Sequence, residues 1–320
     1  MENDFKDLAI KYTGPKFDAH THVWDLKLAE EHLTYVEDFN IKKSLAILDE
    51  DIAQNLSPEL KERFIFARFL RSKTLLKGNA KDSANMVQEY YNQGYPIIKF
   101  WFGPRWIDYV DEEFKKKAGK LRLSNPIFDP IYSKIEELGL IFLVHNSDPD
   151  TYYERVYQPE SKYGTKKEHL DSFEEVLKKY PKMKILGAHF GAQPEHLDNL
   201  ARWFDTYPNY YVDASSARWM AREFSQKREE SITFFKKYSD RILWGTDLSF
   251  GSQRHIEIPE YYFTRYLTYQ ALLETKVKNL ALPFPDPEND NKTVINGLDL
   301  PMDVLENIYW KTAEKFFHGL

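Results

Sequence analysis

The 320-residue sequence contains no cysteine, which excludes disulfide bonds and thiolate metal ligands. A metal site would therefore have to use histidine and carboxylate side chains. No apolar run is long enough to cross a bilayer, and residues 1–13 are too polar and charged to read as a secretory signal. These absences predict a cytoplasmic location and no insertion into membranes.

The sequence also lacks a strong excess of either sign of charge: 44 basic and 50 acidic residues give a formal net charge of −6. This balance gives no support to binding of nucleic acid or of a membrane surface. Hydrophobic residues (42%) and charged residues (29%) are present in the proportions of a globular protein rather than a disordered one. We therefore expect a small-molecule substrate as the partner, and the sequence leaves open whether the chain forms a homo-oligomer.

Eight apolar segments of strand length alternate with helical segments along the chain. The predicted strands are Phe17–His22, Ile41–Asp49, Phe64–Leu70, Pro96–Trp101, Leu140–Asn146, Lys184–His189, Asn209–Ala214 and Arg241–Asp247. Continuous apolar runs are typical of strands buried on both faces of a parallel sheet. The alternation predicts an α/β protein, a (β/α)8 TIM barrel forming a single domain over residues 1–320. An aromatic and proline-rich extension, about 251–320, follows the eighth strand.

An open doubly wound sheet is the rival fold for such a pattern. It would normally place a glycine-rich phosphate-binding turn after its first strand, but the residues that follow His22 up to the second predicted strand contain no glycine. The long connection at 102–125 has a charged middle, 111–120, that we expect to be a surface excursion. The absence of the glycine-rich turn favours the closed barrel.

Two histidines stand two residues apart near the end of the first predicted strand. Because side chains alternate along a strand, His20 and His22 should point to the same face. Two converging imidazoles are what a divalent metal needs from its first two ligands. Taken alone, the motif describes two exposed or capping histidines equally well, so its interpretation depends on the rest of the chain.

Further ionisable residues stand at the ends of other predicted strands, namely Lys99, His145, His189 and Asp247. The active site of a TIM barrel lies at the C-terminal ends of its strands, where these side chains would meet the histidine pair. Each has an ordinary explanation when taken singly, such as a core histidine or, for Asp247, a helix cap. Their joint placement at strand ends favours a metal-dependent site.

Seven segments of the chain resemble the amidohydrolase superfamily. Within it the similarity is to the amidohydrolase-related (amidohydrolase 2) family, which includes the aminocarboxymuconate-semialdehyde decarboxylase-like group. The segments are Phe-Asp-Ala-His-Thr-His (17–22), Ile-Ile-Lys-Phe-Trp (97–101), Phe-Leu-Val-His-Asn-Ser-Asp-Pro (142–149), Ile-Leu-Gly-Ala-His-Phe-Gly (185–191), Tyr-Val-Asp-Ala-Ser-Ser-Ala-Arg (211–218), Arg-Ile-Leu-Trp-Gly-Thr-Asp (241–247) and Asn-Ile-Tyr-Trp-Lys-Thr-Ala-Glu-Lys-Phe-Phe (307–317). Together they are specific for the superfamily but not for a substrate.

The resemblance implies that His20, His22, His145 and Asp247 bind one divalent metal, with His189 beside the water that the metal activates. Zinc is the first expectation, because histidine and carboxylate ligands with an open position suit a catalytic zinc site. Manganese, iron and cobalt stay open. Asp247 would also accept and return the proton, and His189 would hydrogen-bond the water or the developing oxyanion.

Lys99 has two interpretations. In two-metal members of the superfamily, a lysine on the fourth strand is carboxylated and bridges the metals. The alternative, which we favour slightly, is a cation that contacts substrate or pairs with a carboxylate. A nearby dication lowers the pKa of a lysine, which is also what carboxylation requires, so this argument does not separate the two.

Aromatic and arginine residues after the strand ends are candidates for substrate binding, in particular Trp24, Trp101, Arg105 and Arg218. Arginine binds carboxylates through two parallel hydrogen bonds, which would suit an acidic substrate. Surface or ion-paired arginines are an equally good explanation. Two tyrosine-rich segments, 151–163 and 261–269, could form a lid or pack against the outer helices.

These observations predict a metal-dependent hydrolase that acts on an amide, ester or lactone of a small, carboxylate-bearing substrate. The first alternative is a non-oxidative decarboxylase that uses the same metal site, in which arginines would hold a carboxylate over the metal. A barrel that binds metal without catalysis is the weaker second alternative, because the ligand set is complete.

Overall fold

A computed structural model describes residues 5, 8–48, 50–70, 80–109, 112, 121–251 and 258–320. Its main strands are β1 (Lys16–Val23), β2 (Ile41–Leu48), β3 (Phe64–Leu70), β4 (Ile97–Trp101), β5 (Ile141–His145), β6 (Lys184–Gly187), β7 (Tyr210–Asp213), β8 (Ile242–Leu243), β9 (Leu248–Phe250), β10 (Leu280–Ala281) and β11 (Val294–Ile295). Asp49, and the predicted surface excursion 111–120 apart from Glu112, lie outside the described residues.

Helices follow most of these strands. They are α1 (Leu26–Val36), α2 (Glu50–Asn55), α3 (Pro58–Arg63), α4 (Ala80–Asn92), α5 (Asp129–Glu137), α6 (Asp150–Arg155), α7 (Glu160–Tyr163), α8 (Lys166–Lys179), α9 (Ala188–Gly191), α10 (Leu197–Thr206), α11 (Ala217–Gln226), α12 (Arg228–Tyr238), α13 (Ile258–Glu274), α14 (Met302–Glu306) and α15 (Thr312–Phe316). A π-helical turn, Asn307–Lys311, joins the last two. No helix in the described part of the chain is long and apolar enough to span a membrane.

The large sheet is parallel throughout and runs in the order β8-β7-β6-β5-β4-β3-β2-β1-β9. The two outermost strands in this order, β8 and β9, are consecutive in sequence. Backbone hydrogen bonds from Ala19 N to Trp244 O (2.8 Å) and from Asp247 N to His20 O (2.8 Å) join them to β1. The sheet is therefore a barrel whose eighth strand is interrupted at 244–247, and the predicted α/β barrel fold is confirmed.

The inside of the barrel is filled by a layer of apolar side chains. Its buried members are Phe17, Ala19, Leu45, Ile47, Ala67, Ile97, Ile141, Leu143, Leu186, Ala188, Leu243, Ala313, Phe316 and Phe317. Phe317 stacks on Phe17 with ring centroids 5.1 Å apart, so the last residues of the chain close the end at which β1 begins. The polar strand ends are left to the opposite mouth, where TIM barrels carry their active sites.

Two predicted strand ends are wrong by more than one residue. The sixth strand ends at Gly187, not His189, because His189 (φ 54°) and Phe190 (φ 60°) adopt the left-handed conformation. The eighth strand, predicted as continuous to Asp247, ends at Leu243, and β9 begins only after Asp247, which is also left-handed (φ 61°). Both breaks therefore coincide with predicted site residues.

Candidate metal centre

The alternation of inward and outward side chains along β1 is interrupted just before the two histidines. Ala19 packs in the apolar interior, yet the next residue, His20, has its Nε2 only 3.3 Å from Nζ of Lys99 on β4. The register between β1 and β2 shifts between Asp18 and Thr21, which allows adjacent residues to face the same side. Irregularities of this kind re-aim side chains next to active sites.

His20, His22 and Asp247 converge at the mouth of the barrel. Oδ1 of Asp247 lies 3.3 Å from His22 Nε2 and 3.6 Å from His20 Nε2, and one donor atom from each residue falls within a 4.8 Å group. The side chain of His20 is fully buried, while those of His22 and Asp247 are 18% and 33% exposed. Two neutral nitrogens and one carboxylate oxygen thus share a cluster that a ligand can reach.

The electrostatics of this cluster favour a carboxylate beside neutral imidazoles. Burial would raise the pKa of Asp247, but the neighbouring His189 and the hydrogen bond from His22 outweigh it and hold that pKa far below its usual range. Burial lowers the pKa of His22 to about 4. Neutral imidazole and ionised carboxylate are the forms that bind metal.

Asp18 ties the irregular part of β1 to the break in strand eight. Its carboxylate accepts hydrogen bonds from Thr246 N (2.9 Å), Thr246 Oγ1 (2.6 Å) and His20 N (3.2 Å). Burial raises the pKa of Asp18 to about 7, despite these hydrogen bonds. Asp18 therefore positions the backbone on both sides of the cluster.

Asp213, at the end of β7, orients two imidazoles at once. Its Oδ2 lies 2.8 Å from His20 Nδ1, and its Oδ1 accepts from the backbone N–H of His189 at 2.9 Å. Ser215 Oγ bonds both Asp213 and Nδ1 of His189, the latter at 2.7 Å. With their Nδ1 atoms engaged, the two rings have only Nε2 to offer to a metal, as in metal sites whose histidines are held by carboxylates.

His189 and Asp213 also have strongly shifted pKa values. Burial lowers the pKa of His189 to about 3. Burial would raise the pKa of Asp213, but the adjacent His20 reverses the effect and lowers it well below its ordinary range. One donor atom each from His20, His189 and Asp213 forms a second group within 4.8 Å. Because Asp213 is already hydrogen-bonded through both oxygens, it orients the histidines rather than competing for a metal.

His145 lies beside the converging donors rather than among them. Its Nε2 is 2.9 Å from Asp148 Oδ1, and the other oxygen of Asp148 accepts a hydrogen bond from Tyr157. The His145 ring contacts that of His189 edge to face, with centroids 4.7 Å apart. The role of His145 as a fourth ligand stays a prediction.

Lys99 is buried next to the same cluster, with 2% of its surface exposed. Burial lowers its pKa to about 8, and the carboxylates of Asp213 and Asp247 act in the opposite direction. A lysine in this state can be a cation or can react as a free amine, so both interpretations of Lys99 stay open.

Of the predicted substrate contacts, the two tryptophans lie against the histidines. Trp24 stacks on His22 with ring centroids 5.4 Å apart. Trp101 meets His145 edge to face at 6.0 Å. Both indole rings therefore line the mouth of the barrel beside the cluster.

The two predicted arginines have partners of their own. The side chain of Arg105 is 47% exposed, and its Nε lies 3.8 Å from Asp108. Arg218 donates to the hydroxyl of Tyr152 at 3.1 Å and pairs with Glu288 at 3.4 Å. The structure therefore does not bring either guanidinium to the metal cluster as a free group.

The tyrosine-rich segments pack rather than stand clear of the barrel. Tyr262, Tyr266 and Tyr269 on α13 are each 1–2% exposed. Tyr152 on α6 packs edge to face on Trp219, whose ring in turn contacts His189 with centroids 5.2 Å apart. These segments therefore form part of the wall around the mouth.

Sequence reasoning missed Asp18, Asp213 and Ser215. The rule that selected the other residues, an ionisable group at a strand end, applies equally to Asp213 in Tyr-Val-Asp-Ala-Ser. Asp18 gave no such signal, because it precedes the strand end and acts through backbone groups of a segment far away in sequence.

A family model described as amidohydrolase matches residues 102–319, more than half of the chain. No curated protein matches the sequence. Among solved structures, the chain is similar to an uncharacterized TIM-barrel protein from Bordetella bronchiseptica (TM-score 0.53, 16% identity, 91% of this chain and 82% of that one). It is also similar to an amidohydrolase II (0.54, 15%, 94% and 99%) and to 5-carboxyvanillate decarboxylase from Novosphingobium aromaticivorans, complexed with manganese and a nitrobenzoic acid (0.52, 13%, 95% and 96%). At these identities the likeness shows the fold.

Proposed function

The chain belongs to the amidohydrolase family, and from that premise we propose that it is a metal-dependent hydrolase of an amide, ester or lactone of a small acid. The observation that supports this most is the convergence of His20 Nε2, His22 Nε2 and Asp247 Oδ1 at the barrel mouth. Two imidazole nitrogens and one carboxylate oxygen suit a divalent metal, because the carboxylate supplies one negative charge and the imidazoles bind as neutral ligands. Zinc fits this chemistry first, with manganese, iron and cobalt as alternatives.

His20, His22 and Asp247 would hold the metal, which when bound would acidify water and polarise a carbonyl or carboxylate oxygen. Asp247 is accessible and ionised, so its free oxygen can accept a proton from water and return it to a leaving group. His189 is held by Ser215 with Nε2 free, which suits it to hydrogen-bond a developing negative charge. Trp24 and Trp101 provide apolar walls for the substrate.

A non-oxidative decarboxylase is the second candidate. The fold is similar to that of a 5-carboxyvanillate decarboxylase complexed with manganese and a nitrobenzoic acid. The same cluster could hold a carboxylate, and Lys99 beside His20 provides a buried amine near it. The two reactions differ in their products, because only the decarboxylase releases carbon dioxide.

The first experiment measures metal content and stability together. Purified protein should contain about one divalent metal per chain, and adding zinc or manganese to metal-free protein should raise its melting temperature. Absence of metal together with no shift on adding either ion would reject the proposal. Assays with panels of small carboxylate esters, lactones and aromatic acids, with carbon dioxide measured separately, then distinguish hydrolysis from decarboxylation.

We also propose that Lys99 is unmodified and that the substrate is a small molecule handled in the cytoplasm, with no nucleic-acid or membrane partner. Electron density for a carboxylated Lys99 between two metals would contradict the first part. A homo-oligomer stays open and is decided by light scattering.

A further inference from the structure

Arg265, on α13, is clamped between two aromatic rings. Its guanidinium carbon lies 4.3 Å from the ring centroid of Tyr261 and 4.1 Å from that of Phe284. The two rings hold the flat faces of the guanidinium by cation–π contacts. Stacking of this kind fixes the orientation of the group but leaves its in-plane N–H donors available.

Only one end of this guanidinium is hydrogen-bonded. Nη1 donates to Thr264 Oγ1 at 3.0 Å and to the carbonyl oxygen of Tyr261 at 3.4 Å. Within the described ranges, no carboxylate lies at ion-pair distance from Arg265, and neither Nε nor Nη2 has a hydrogen-bond acceptor. The Nε–Nη2 edge, the one that binds a carboxylate bidentately, is therefore unused.

The neighbouring arginines are different in this respect. Arg222 is buried and pairs with both Asp286 and Glu223, while Arg218 pairs with Glu288. Burial lowers the pKa of Arg265 to about 10; Tyr261 and Glu260 act against the lowering, and Arg218 adds to it. Arg265 is therefore a partly buried cation without a carboxylate at ion-pair distance among the described residues, and an anion at its Nε–Nη2 edge would stabilise it.

The clamp is joined to the strand that follows Asp247. The hydroxyl of Tyr261 accepts a hydrogen bond from the backbone N–H of Ser249 at 3.3 Å. Ser249 is the register partner of His22 in the β1–β9 pair and lies two residues after Asp247. Tyr261 therefore contacts both Arg265 and the strand that pairs with the segment carrying His22.

We propose that Arg265 binds a carboxylate of the substrate that lies away from the reacting bond, so that the enzyme prefers substrates with a second, remote negative charge. This inference rests on the proposed metal-dependent function and specifies its substrate class. It replaces Arg105 and Arg218 as carboxylate-binding residues, because both of these already have acidic partners.

The test uses two probes that differ only in the remote charge. Isophthalate and 3-carbamoylbenzoate each offer one carboxylate to the metal, but only isophthalate has a second. Calorimetric titration of the metal-loaded protein should show tighter binding of isophthalate by about tenfold to a hundredfold, the usual worth of a charge-assisted bidentate contact. In Arg265→Gln this preference should disappear, while Arg265→Lys should keep a smaller part of it.

Arg155→Gln is the matched control, because Arg155 is an exposed arginine paired with the exposed Asp290. That variant should keep the full preference. The inference is overturned if the metal-loaded parent binds both probes equally or binds neither, or if Arg265→Gln keeps the preference. A chain that binds no metal at all contradicts the proposed function instead, and melting temperatures of the variants show separately whether the fold is intact.

Discussion

Two buried polar clusters in this protein are built in opposite ways. The metal cluster at the barrel mouth brings together His20, His22 and Asp247. One potential metal-donor atom from each residue lies within 4.8 Å of the other two. The second cluster, which we call the clasp, joins Arg222 on α11 to Asp286 in the extension after strand eight. In the clasp, Arg222 Nη1 donates to both Asp286 oxygens at 2.8 and 2.9 Å.

The clasp is complete in itself. Arg222 and Asp286 are each 1% exposed, and the remaining donors of Arg222 reach Glu223 Oε1 (2.7 Å) and Thr151 Oγ1 (3.0 Å). Every charge therefore faces an opposite charge or an acceptor. In the metal cluster, two imidazole nitrogens and a carboxylate oxygen lie close together, with Nζ of Lys99 3.3 Å from His20 Nε2. Burial of charge alone thus does not mark a candidate metal site; a grouping of metal-donor atoms does.

The largest effects are expected from substitutions in the metal cluster itself, which separate metal binding from proton transfer. Asp247→Asn keeps the shape and one coordinating oxygen but removes the charge and the basic oxygen. We expect metal to be retained with weaker affinity and turnover to fall by on the order of 10²–10⁴, the usual worth of a general acid–base group. His20→Ala should lose most of the metal together with the activity.

Metal content and rate must be measured on the same preparations. If metal-replete Asp247→Asn is nearly as active as the parent, Asp247 is not the base. His189 then becomes the better candidate, because it adjoins the cluster and keeps its Nε2 free.

Breaking the clasp should affect stability and not metal binding. Arg222→Met leaves the carboxylate of Asp286 buried without its main partner, which typically costs 3–5 kcal/mol. Urea unfolding should show this loss, and the double variant Arg222→Met/Asp286→Leu should recover part of it. Loss of metal from Arg222→Met that stays folded would show that the two clusters are not independent.

Asp213→Asn tests the orienting carboxylate behind the metal cluster. It removes the charge that holds His20 Nδ1, so metal affinity measured by chelator competition should fall by about 10- to 100-fold. Asp205→Asn is the control, since Asp205 is an exposed aspartate that also accepts hydrogen bonds from a tyrosine, Tyr238. An unchanged affinity in Asp213→Asn would mean that His20 is oriented by its other contacts.

The smallest expected effect is a pH dependence that arises from a residue outside both clusters. Burial lowers the pKa of His32 on α1 to about 3, and Arg63 adds to the lowering. The unfolded chain takes up this proton near pH 6.5, so the stabilising contribution is complete above that pH and is lost as the pH falls toward 3. The slope from one such proton is about 1.4 kcal/mol per pH unit.

Urea unfolding at pH 7, 6 and 5 measures this slope. His32→Gln should be less stable at pH 7, because it loses the hydrogen bond with Tyr266, but its stability should fall less steeply with pH. His169, whose pKa burial lowers to about 4, supplies part of the slope that remains. An identical slope in the variant would show that folding does not lower the pKa of His32.

The sequence predicted the barrel and the strand-end residues because both depend on local patterns. His20 and His22 converge, but strand alternation alone does not account for it. The register shift after Asp18 also brings them inward. The partner of Arg218 was not predictable, since Glu288 lies in the extension, far away in sequence. Asp108 is only three residues after Arg105, but the short 3₁₀ helix (Pro104–Tyr109) that brings them together was not predicted. The left-handed turns at His189 and Asp247 were also missed, because neither residue type favours φ > 0 as glycine does.

The interrupted eighth strand affects how the first and last strands of the barrel are held together. The barrel is fastened along one line by the hydrogen bonds between β1 and residues 244–247, close to the predicted ligands His22 and Asp247. A metal held by both would act as a crosslink between the first and the last strand of the folded barrel. Unlike a disulfide, which also constrains the unfolded chain, it would stabilise the fold through the free energy of metal binding, because the unfolded chain does not keep the site. In a protein without cysteine, this crosslink would be available only while metal is supplied.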